Sequence, residues 1–413
     1  WRRGVIVERH LRSMGELFEP FCEVAVTNRY TYRSRLLSAE RIADPSGRNG
    51  FIGHPYTRAM NARDTVDMAA AVIVTSVEKA RALAVAEDRW VYLHGCGALR
   101  DALYLRDRRD FHSSPAIERL GERVLGASGV GIDDVEHIDL YSCFPSAVEI
   151  ACEALGLRED DQRGLTLTGG LPFFGGPGND YSLHAIAEAV GRCRLSPGSY
   201  ALVSANGGSV TKHAIGVYST RPRQGAWKLL DLAEDQREID TIAGPPTVDA
   251  PESGRAELET CTVVHSEGQP VSGFVIARKA EGADRGARFI GRVPADGGLE
   301  ELMGDDAVGL ECRVEVDGEG MNVVRAEGRG RTLSHGRRTG RTSVGRLSAG
   351  GRRWAQYDDA KVASSSLARR WLSSALRITV SVTSTRTPSS ATAPSSAASA
   401  RSSTKPSSRS RSV

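Results

Sequence analysis

A glycine-rich loop is the first part of the sequence whose residue types could do chemistry. Leu165–Val190 leaves a β-like run, passes Gly175 and Gly176, and enters a helical pattern with His184 in its first turn. Glycines let the backbone approach a ligand closely, but the loop lacks the Gly-Lys-Ser/Thr of a Walker A loop and the third glycine of a dinucleotide fingerprint. His184 is either a structural histidine or an acid–base group. It lies beside the predicted buried stripe of this helix, which consists of Leu183, Ile186, Ala187 and Val190.

A second glycine turn follows an apolar strand later in the chain. Asn206, Gly207 and Gly208 either form only a tight turn or leave backbone N–H groups free as an oxyanion hole. His213 follows Lys212, and this pair is either an exposed Lys-His dipeptide or a source of an acid–base group.

The third segment carries a phenol and a thiol. In Leu140–Leu157, Tyr141 and Cys143 stand where a strand gives way to a helix N-terminus, a location that lowers a thiol pKa. A buried, inert cysteine fits the same position. The pair His94 and Cys96 supplies too few ligands for zinc. The seven cysteines form no CxxC pair, so we expect no metal site, and we expect reduced thiols in a cytoplasmic protein.

The elements that would position these residues alternate between strands and helices over residues 1–227, the first predicted domain. Continuous apolar strands between amphipathic helices favour an α/β fold with a mostly parallel sheet covered on both faces. The predicted strands are Ala69–Thr75, Trp90–Leu93, Val135–Tyr141, Leu165–Thr168, Tyr200–Ser204 and Ala214–Ser219, and the predicted helices include Ile117–Leu125 and one from Tyr181.

Three further segments follow this domain. We predict a linker over residues 228–254. We predict a small OB-like β-barrel over 255–327, from short strands and a hairpin signal at Ser266-Glu267-Gly268-Gln269. Residues 328–413 hold 17 Lys and Arg but only two Asp. That Arg/Ser-rich composition predicts a disordered tail, and its abrupt onset also fits a shifted reading frame.

Charge and hydropathy exclude some partners. Before Gly328 the chain holds 37 basic and 49 acidic residues, a net charge of about −12 that argues against a nucleic-acid-binding core. The longest apolar run, Met68–Val74, is far shorter than the roughly 20 residues that a membrane helix needs. The chain begins at Trp1 rather than Met, and we expect it to be a fragment.

Three motifs in order, LYSCFPSAVEIACEALGL, GGLPFFGGPGNDYSLHA and SANGGSVTKHAIGVYS, resemble the C-terminal half of a thiolase. They look closest to the sterol-carrier-protein-X-type branch and to thiolase-like proteins type 1, whose extra C-terminal domain the small barrel resembles. Pro55–Ser76 looks like the strand and helix that open that half. The resemblance covers about residues 15–327. It implies a layered α-β-α thiolase fold and the acetyl-CoA acetyltransferase family.

The chain departs from the thiolase pattern at the residues that do the chemistry. By the resemblance, the nucleophilic cysteine belongs to a first half upstream of Trp1. The Gly-His-Pro motif aligns with Gly175-Gly176-Pro177, where its histidine is missing, and a Gly-His-Pro at residues 53–55 is a decoy. Tyr141 replaces an oxyanion-hole histidine, and no second catalytic cysteine stands within Ser204–Asn206.

The resemblance therefore implies an acyl-CoA-binding protein of lipid or sterol metabolism with degenerate catalytic motifs, and it leaves enzymatic activity open. The alternative is a CoA-ester lyase (retro-aldol) or acyltransferase that acts through Tyr141, Cys143 and His213 with a partner chain. We expect a second copy or a partner chain to cover the exposed sheet, and no cofactor besides the CoA ester. The candidate catalytic residues are Tyr141, Cys143, His184 and His213, and the candidate binding residues are Gly175, Gly176, Asn206, Gly207 and Gly208.

Overall fold

The computed structural model describes residues 1–225 and 227–327. Its helices are α1 Val7–Thr27, α2 Ala39–Ala43, α3 Val77–Ala82, α4 Pro115–Ser128, α5 Pro145–Leu155, α6 Gly170–Phe173, α7 Tyr181–Leu195, α8 Ala233–Asp240 and α9 Leu299–Leu302. Its strands are β1 Phe51–His54, β2 Tyr56–Thr57, β3 Tyr92–Arg100, β4 His137–Asp139, β5 Tyr200–Gly207, β6 Lys212–Ser219, β7 Gly254–Ser266, β8 Gln269–Lys279, β9 Arg288–Val293, β10 Glu311–Val316 and β11 Asn322–Ala326.

A four-stranded sheet in the order β3-β6-β5-β4 organises the α/β part. Only β4 and β5 run parallel, while β6 is antiparallel to both of its neighbours. The expectation of a mostly parallel sheet is therefore wrong, because a tight turn instead of a crossover helix joins β5 to β6.

Helices cover both faces of this sheet. On one face, α4 and α5 pack with α1 around Leu202, Ile215 and Val217. On the other, α7 packs around Ala201 and Val203. The layered α-β-α arrangement predicted from the thiolase resemblance is confirmed.

Local sequence signals set the bounds of the two long helices that begin at the sheet edge. Pro115 occupies the first turn of α4 after the Ser114 cap, and Gly129 ends the helix with a left-handed backbone at φ +71°. Pro145 and Gly156 do the same for α5. Helix α4 therefore contains the predicted Ile117–Leu125 but is longer at both ends, and α5 begins just after Cys143, where a helix start is predicted.

Three expectations along the α/β part need correction. Leu165–Thr168 is not a strand, because the backbone N–H groups of Leu167 and Thr168 donate to Asp139 and not to a neighbouring strand. Ala69–Thr75 is not a strand, since no described strand pairs with it, and Ile73 and Val74 are 95% and 87% exposed. The stretch 228–254 predicted as a linker contains helix α8. The predicted tail, 328–413, lies outside the described residues. None of the described helices has the length and apolar character needed to cross a membrane.

The C-terminal strands close into a barrel. Pairing runs β7-β8-β9-β11-β10 and returns from β10 to β7, with α9 between β9 and β10. Five strands closed in this order are an OB-like barrel, which confirms the prediction. Its core includes Phe289, Leu302 and Val324. The pair β1-β2 extends the sheet outward, because Gly53 and His54 of β1 pair with Val264 and Val263 of β7.

Candidate functional site

An aromatic cluster joins two of the candidate residues beneath α7. The rings of Tyr141 and Tyr181 lie 5.5 Å apart, and Phe174 lies 6.5 Å from Tyr181 and 5.3 Å from His184. Tyr141 lies two residues after the end of β4, and Tyr181 begins α7. Neighbouring elements of the α-β-α layers thus bring Tyr141 and His184 to the same face of the sheet.

His184 is held inside this cluster by a carboxylate one turn earlier. Its Nε2 lies 3.2 Å from Oδ2 of Asp180, and the histidine is 8% exposed. The predicted stripe of α7 is wrong by about one residue, because its larger side chains are only half-buried. The small side chains let the helix approach the sheet closely, and the buried residues are Tyr181, His184, Ala185, Ala189 and Cys193.

A carboxylate that sequence reasoning missed holds the loop before α7. Asp139 is fully buried at the end of β4, and it accepts the hydroxyl of Tyr181 at 3.0 Å and the N–H of Leu167 at 2.8 Å. Burial raises its pKa to about 6 despite these hydrogen bonds. The one signal in the sequence was an acidic residue inside the apolar run IDLY.

The loop at Gly175 and Gly176 is buried. A Cβ on Gly175, where φ is +104°, would lie 3.0 Å from Val66 Cγ2 and 3.1 Å from Met68 Sδ. The N–H of Gly176 donates to the carbonyl of Arg63 at 2.8 Å. Residues 63–68 of the chain therefore occupy the space beside these glycines.

Cys143 stands at the start of α5, as predicted, but its thiol is not activated. Burial raises the pKa of Cys143 to about 11, although backbone hydrogen bonds at Phe144 and at Cys143 itself act in the opposite direction. The expected lowering by the helix N-terminus is therefore outweighed by desolvation. The carbonyl of Cys143 accepts the N–H of Ala62 at 3.2 Å, which ties this segment to the chain over the glycine loop.

The second glycine turn lies at the same sheet edge as Tyr141. The N–H of Thr211 closes the turn onto the carbonyl of Gly207 at 3.1 Å, and Gly208 is exposed with φ +67°. The N–H of Tyr141 donates to Ser204 Oγ at 2.9 Å. Because β4 and β5 are parallel, Tyr141 and Asn206 both lie at their carboxyl ends, where open α/β sheets bind ligands.

His213 lies on the opposite face, beneath α4. Its Nε2 is 3.1 Å from Asp101 Oδ2, and Ser114 Oγ donates to the same oxygen at 2.5 Å. Burial on its own would raise the pKa of Asp101, but hydrogen bonds from His213 and Ser114 bring it below its ordinary value. The sheet therefore separates His213 from His184, and the structure does not bring the two histidines together.

The Gly-His-Pro sequence at residues 53–55 lies in another part of the molecule. His54 belongs to β1 and pairs with Val263 of the barrel, and burial with nearby His265 lowers its pKa to about 4. This geometry agrees with its interpretation as a decoy.

Two further residues were missed by sequence reasoning: Asp101, which contacts His213, and Arg108, which donates to Ser209 and Thr211 at the second glycine turn. Asp101 directly follows an apolar strand, which is a weak signal, while nothing local marks Arg108. Within residues 1–225 and 227–327, no three His, Cys, Asp or Glu side chains are arranged to hold a metal ion.

The chain is similar to known proteins in sequence and in fold. Residues 235–319 match the family model of the thiolase-like protein type 1 additional C-terminal domain. The crystal structure of a monomeric SCP2-thiolase-like protein type 1 from Mycobacterium smegmatis is 37% identical, with a TM-score of 0.70 over 78% of this chain and 69% of that chain.

A weaker similarity links the chain to the Ltp2–ChsH2(DUF35) aldolase. The identity is 18% and the TM-score 0.41 over 51% of this chain and 59% of that chain, which is too low to support an inference. No curated protein matches the chain.

Proposed function

Because the chain belongs to the family of SCP2-thiolase-like proteins type 1, we propose that it binds an acyl thioester of coenzyme A without forming a covalent acyl-enzyme. The observation that carries this proposal is that burial favours the protonated form of the cysteine thiols. Burial raises the pKa of every cysteine in the chain, and a protonated thiol is a poor nucleophile. The cysteines concerned are Cys22, Cys96, Cys143, Cys152, Cys193, Cys261 and Cys312.

Two polar side chains at the sheet edge support a thioester site there. In the described part of the chain, neither the hydroxyl of Tyr141 nor the amide of Asn206 has a hydrogen-bond partner, and both residues are partly exposed. Burial raises the pKa of Tyr141, so its phenol stays a neutral donor. A thioester carbonyl on the α7 face would accept from Tyr141. Asn206, which pairs with His213 and therefore points to the opposite face, would bind another polar group of the CoA ester over the strand ends. We expect the acyl chain to be that of a lipid or a sterol side chain.

The test is titration of the protein with octanoyl-CoA and with free CoA by calorimetry, while a thiol reagent follows release of CoA over hours. We expect saturable binding of the thioester without CoA release. Tyr141→Phe and Asn206→Ala should each raise the Kd by about 2- to 12-fold, as for one lost neutral hydrogen bond. The matched control is Tyr104→Phe, because Tyr104 is 59% exposed. Absence of binding, or steady release of CoA, would reject the proposal.

A second candidate is a CoA-ester lyase that acts with a partner chain. The observation that favours it is the protonated, unpartnered phenol of Tyr141, because retro-aldol cleavage needs an acid–base pair and no cysteine nucleophile. Only Cys143, of the other two residues in this candidate, shares the α7 face with Tyr141. Tyr141→Phe would then abolish turnover of a β-hydroxyacyl-CoA while leaving its Kd within the range above.

A further inference from the structure

A buried arginine of the barrel contacts the backbone of a loop in the α/β part. Arg288 on β9 is 2% exposed and pairs with Glu259 on β7. Its Nη1 donates to the carbonyl of Arg106 at 3.0 Å and to that of Arg108. Its guanidinium also stacks 4.6 Å from the ring of Phe111. The barrel thus fixes the path of residues 106–111.

A second arginine, in the same loop, contacts the glycine turn between β5 and β6. Arg108 is 8% exposed, and its Nη2 donates to the carbonyl of Ser209 at 2.9 Å and to Thr211 Oγ1 at 2.7 Å. Thr211 is itself 1% exposed, and its N–H closes the turn onto Gly207. The turn between β5 and β6 is therefore tied to the loop by a buried cation.

Together these two arginines connect the barrel to the sheet edge. We call this connection, from Arg288 through Arg108 to the turn between β5 and β6, the relay. A guanidinium is planar and presents its donors in a fixed fork, so the position of each carbonyl depends on that of the arginine. Both groups are buried, so water cannot readily replace a lost contact. A shift of Arg288 would move the backbone of Arg108, and with it the guanidinium that holds Ser209 and Thr211.

We propose that Arg288 is a positioning residue, by which the barrel holds the Asn206-Gly207-Gly208 turn in the geometry that receives the thioester. The role in ligand binding rests on the proposed function, while the hold on the turn does not. The additional C-terminal domain is then a structural part of the binding edge rather than a separate module.

The first experiment compares Arg288→Met with Arg278→Met in the full chain without ligand. Arg278 also pairs with Glu259, but none of its described contacts reaches the loop 101–113. Hydrogen exchange of the Thr211 amide should become at least tenfold faster in Arg288→Met and change less than twofold in Arg278→Met. The amide of Leu140, which donates to the carbonyl of Leu165 at 2.9 Å, is the internal reference. Equal acceleration at Leu140 and Thr211, or an unchanged Thr211, would overturn the proposal.

Two milder variants keep the test decisive if Arg288→Met fails to fold. Arg108→Lys keeps the charge but loses the fork, and Thr211→Val removes one acceptor at similar volume. Both should accelerate exchange at the turn, Arg108→Lys by the larger factor, and unchanged exchange in both would overturn the relay.

The Kd for octanoyl-CoA then separates the relay from the proposed function. If the relay and the proposed function are both correct, Arg288→Met raises the Kd for octanoyl-CoA at least fivefold. A loosened turn with an unchanged Kd would confirm the hold of Arg288 on the turn and reject the turn as part of the thioester site.

Discussion

At the scale of single residues, Asp139 shows how much a buried charge costs the fold. Its carboxylate accepts hydrogen bonds from Tyr181, Leu167 and Thr166, and yet its pKa rises to about 6 because it is fully buried. The folded protein therefore binds this proton more tightly than the unfolded chain does. The stabilisation is fully present below about pH 4 and is lost as the pH rises through 6.

Asp139→Asn should remove this pH dependence. A shift of about two pKa units corresponds to about 3 kcal/mol in the free energy of unfolding. Measured by urea denaturation, the difference between the variant and the wild type should move by about that amount in favour of the variant from pH 4 to pH 7.5. Burial also raises the pKa of Glu149 to about 7. Because Glu149 is present in both proteins, its contribution cancels in the difference between their free energies of unfolding. A difference that stays constant over this range would contradict the assignment.

The sequence could predict some of the site residues but not which face of the four-stranded sheet each of them occupies. Tyr141 and Cys143 were recognisable because a strand visibly gives way to a helix there, and the structure places Tyr141 and His184 in one aromatic cluster. His213 was grouped with them by sequence order. The alternation of side chains along β6 sends it instead to the opposite face, and a reading of one strand does not reveal which face a distant helix will cover.

At the scale of elements, the start of α4 combines a helix cap with a buried, hydrogen-bonded carboxylate. Ser114 Oγ accepts the N–H of Ile117 at 3.1 Å and donates to Asp101, which also contacts His213. One hydroxyl therefore satisfies the helix end and part of a buried carboxylate. The helix cannot lose this cap without also disturbing Asp101.

Ser114→Ala should for this reason cost more than an ordinary cap. We expect a loss of about 2–4 kcal/mol in the free energy of unfolding, from the cap and the charge-assisted bond together. Ser76→Ala is the control, because Ser76 caps exposed helix α3 through the N–H of Lys79 and bonds no carboxylate. It should cost about 0.5–1 kcal/mol. Equal losses in chemical denaturation would show that the bond to Asp101 adds nothing.

Element predictions succeeded where signals were local and failed where they were not. Helices α4 and α5 follow from a proline in the first turn and a glycine at the end. Ala69–Thr75 has the composition of a strand, but a strand also needs a neighbour with free backbone groups. No described strand pairs with this segment, and composition alone does not report that.

At the scale of the whole molecule, the barrel and the α/β part share contacts from two directions. Arg288 reaches the loop around Arg108, and β1 of the N-terminal region pairs with β7. The barrel itself was predictable, because its short strands and its hairpin signal are local patterns in the sequence. Its extra strand β1 was not, because the four residues FIGH do not specify a partner strand about 210 positions away.

A substitution that destabilises the barrel core should therefore also destabilise the four-stranded sheet of the α/β part. Phe289 is fully buried next to Arg288, and Phe289→Ala should cost about 3–5 kcal/mol. Hydrogen exchange at increasing urea should show the midpoints of peptides from β8 and from β5 falling together. Ile290→Ala, at a position that is 44% exposed, should leave both nearly unchanged. A β5 midpoint that does not move with β8 would show that the two parts unfold independently.

The pairing of β1 with β7 also has a consequence for synthesis. Thr262 Oγ1 donates to the carbonyl of His54, a residue 208 positions earlier. At ribosomal rates of about 5–20 residues per second, β1 emerges about 10–40 s before its partner exists. During that interval its backbone N–H and C=O groups are open to other strands, so slower translation over residues 54–262 would lengthen this exposure and faster translation would shorten it.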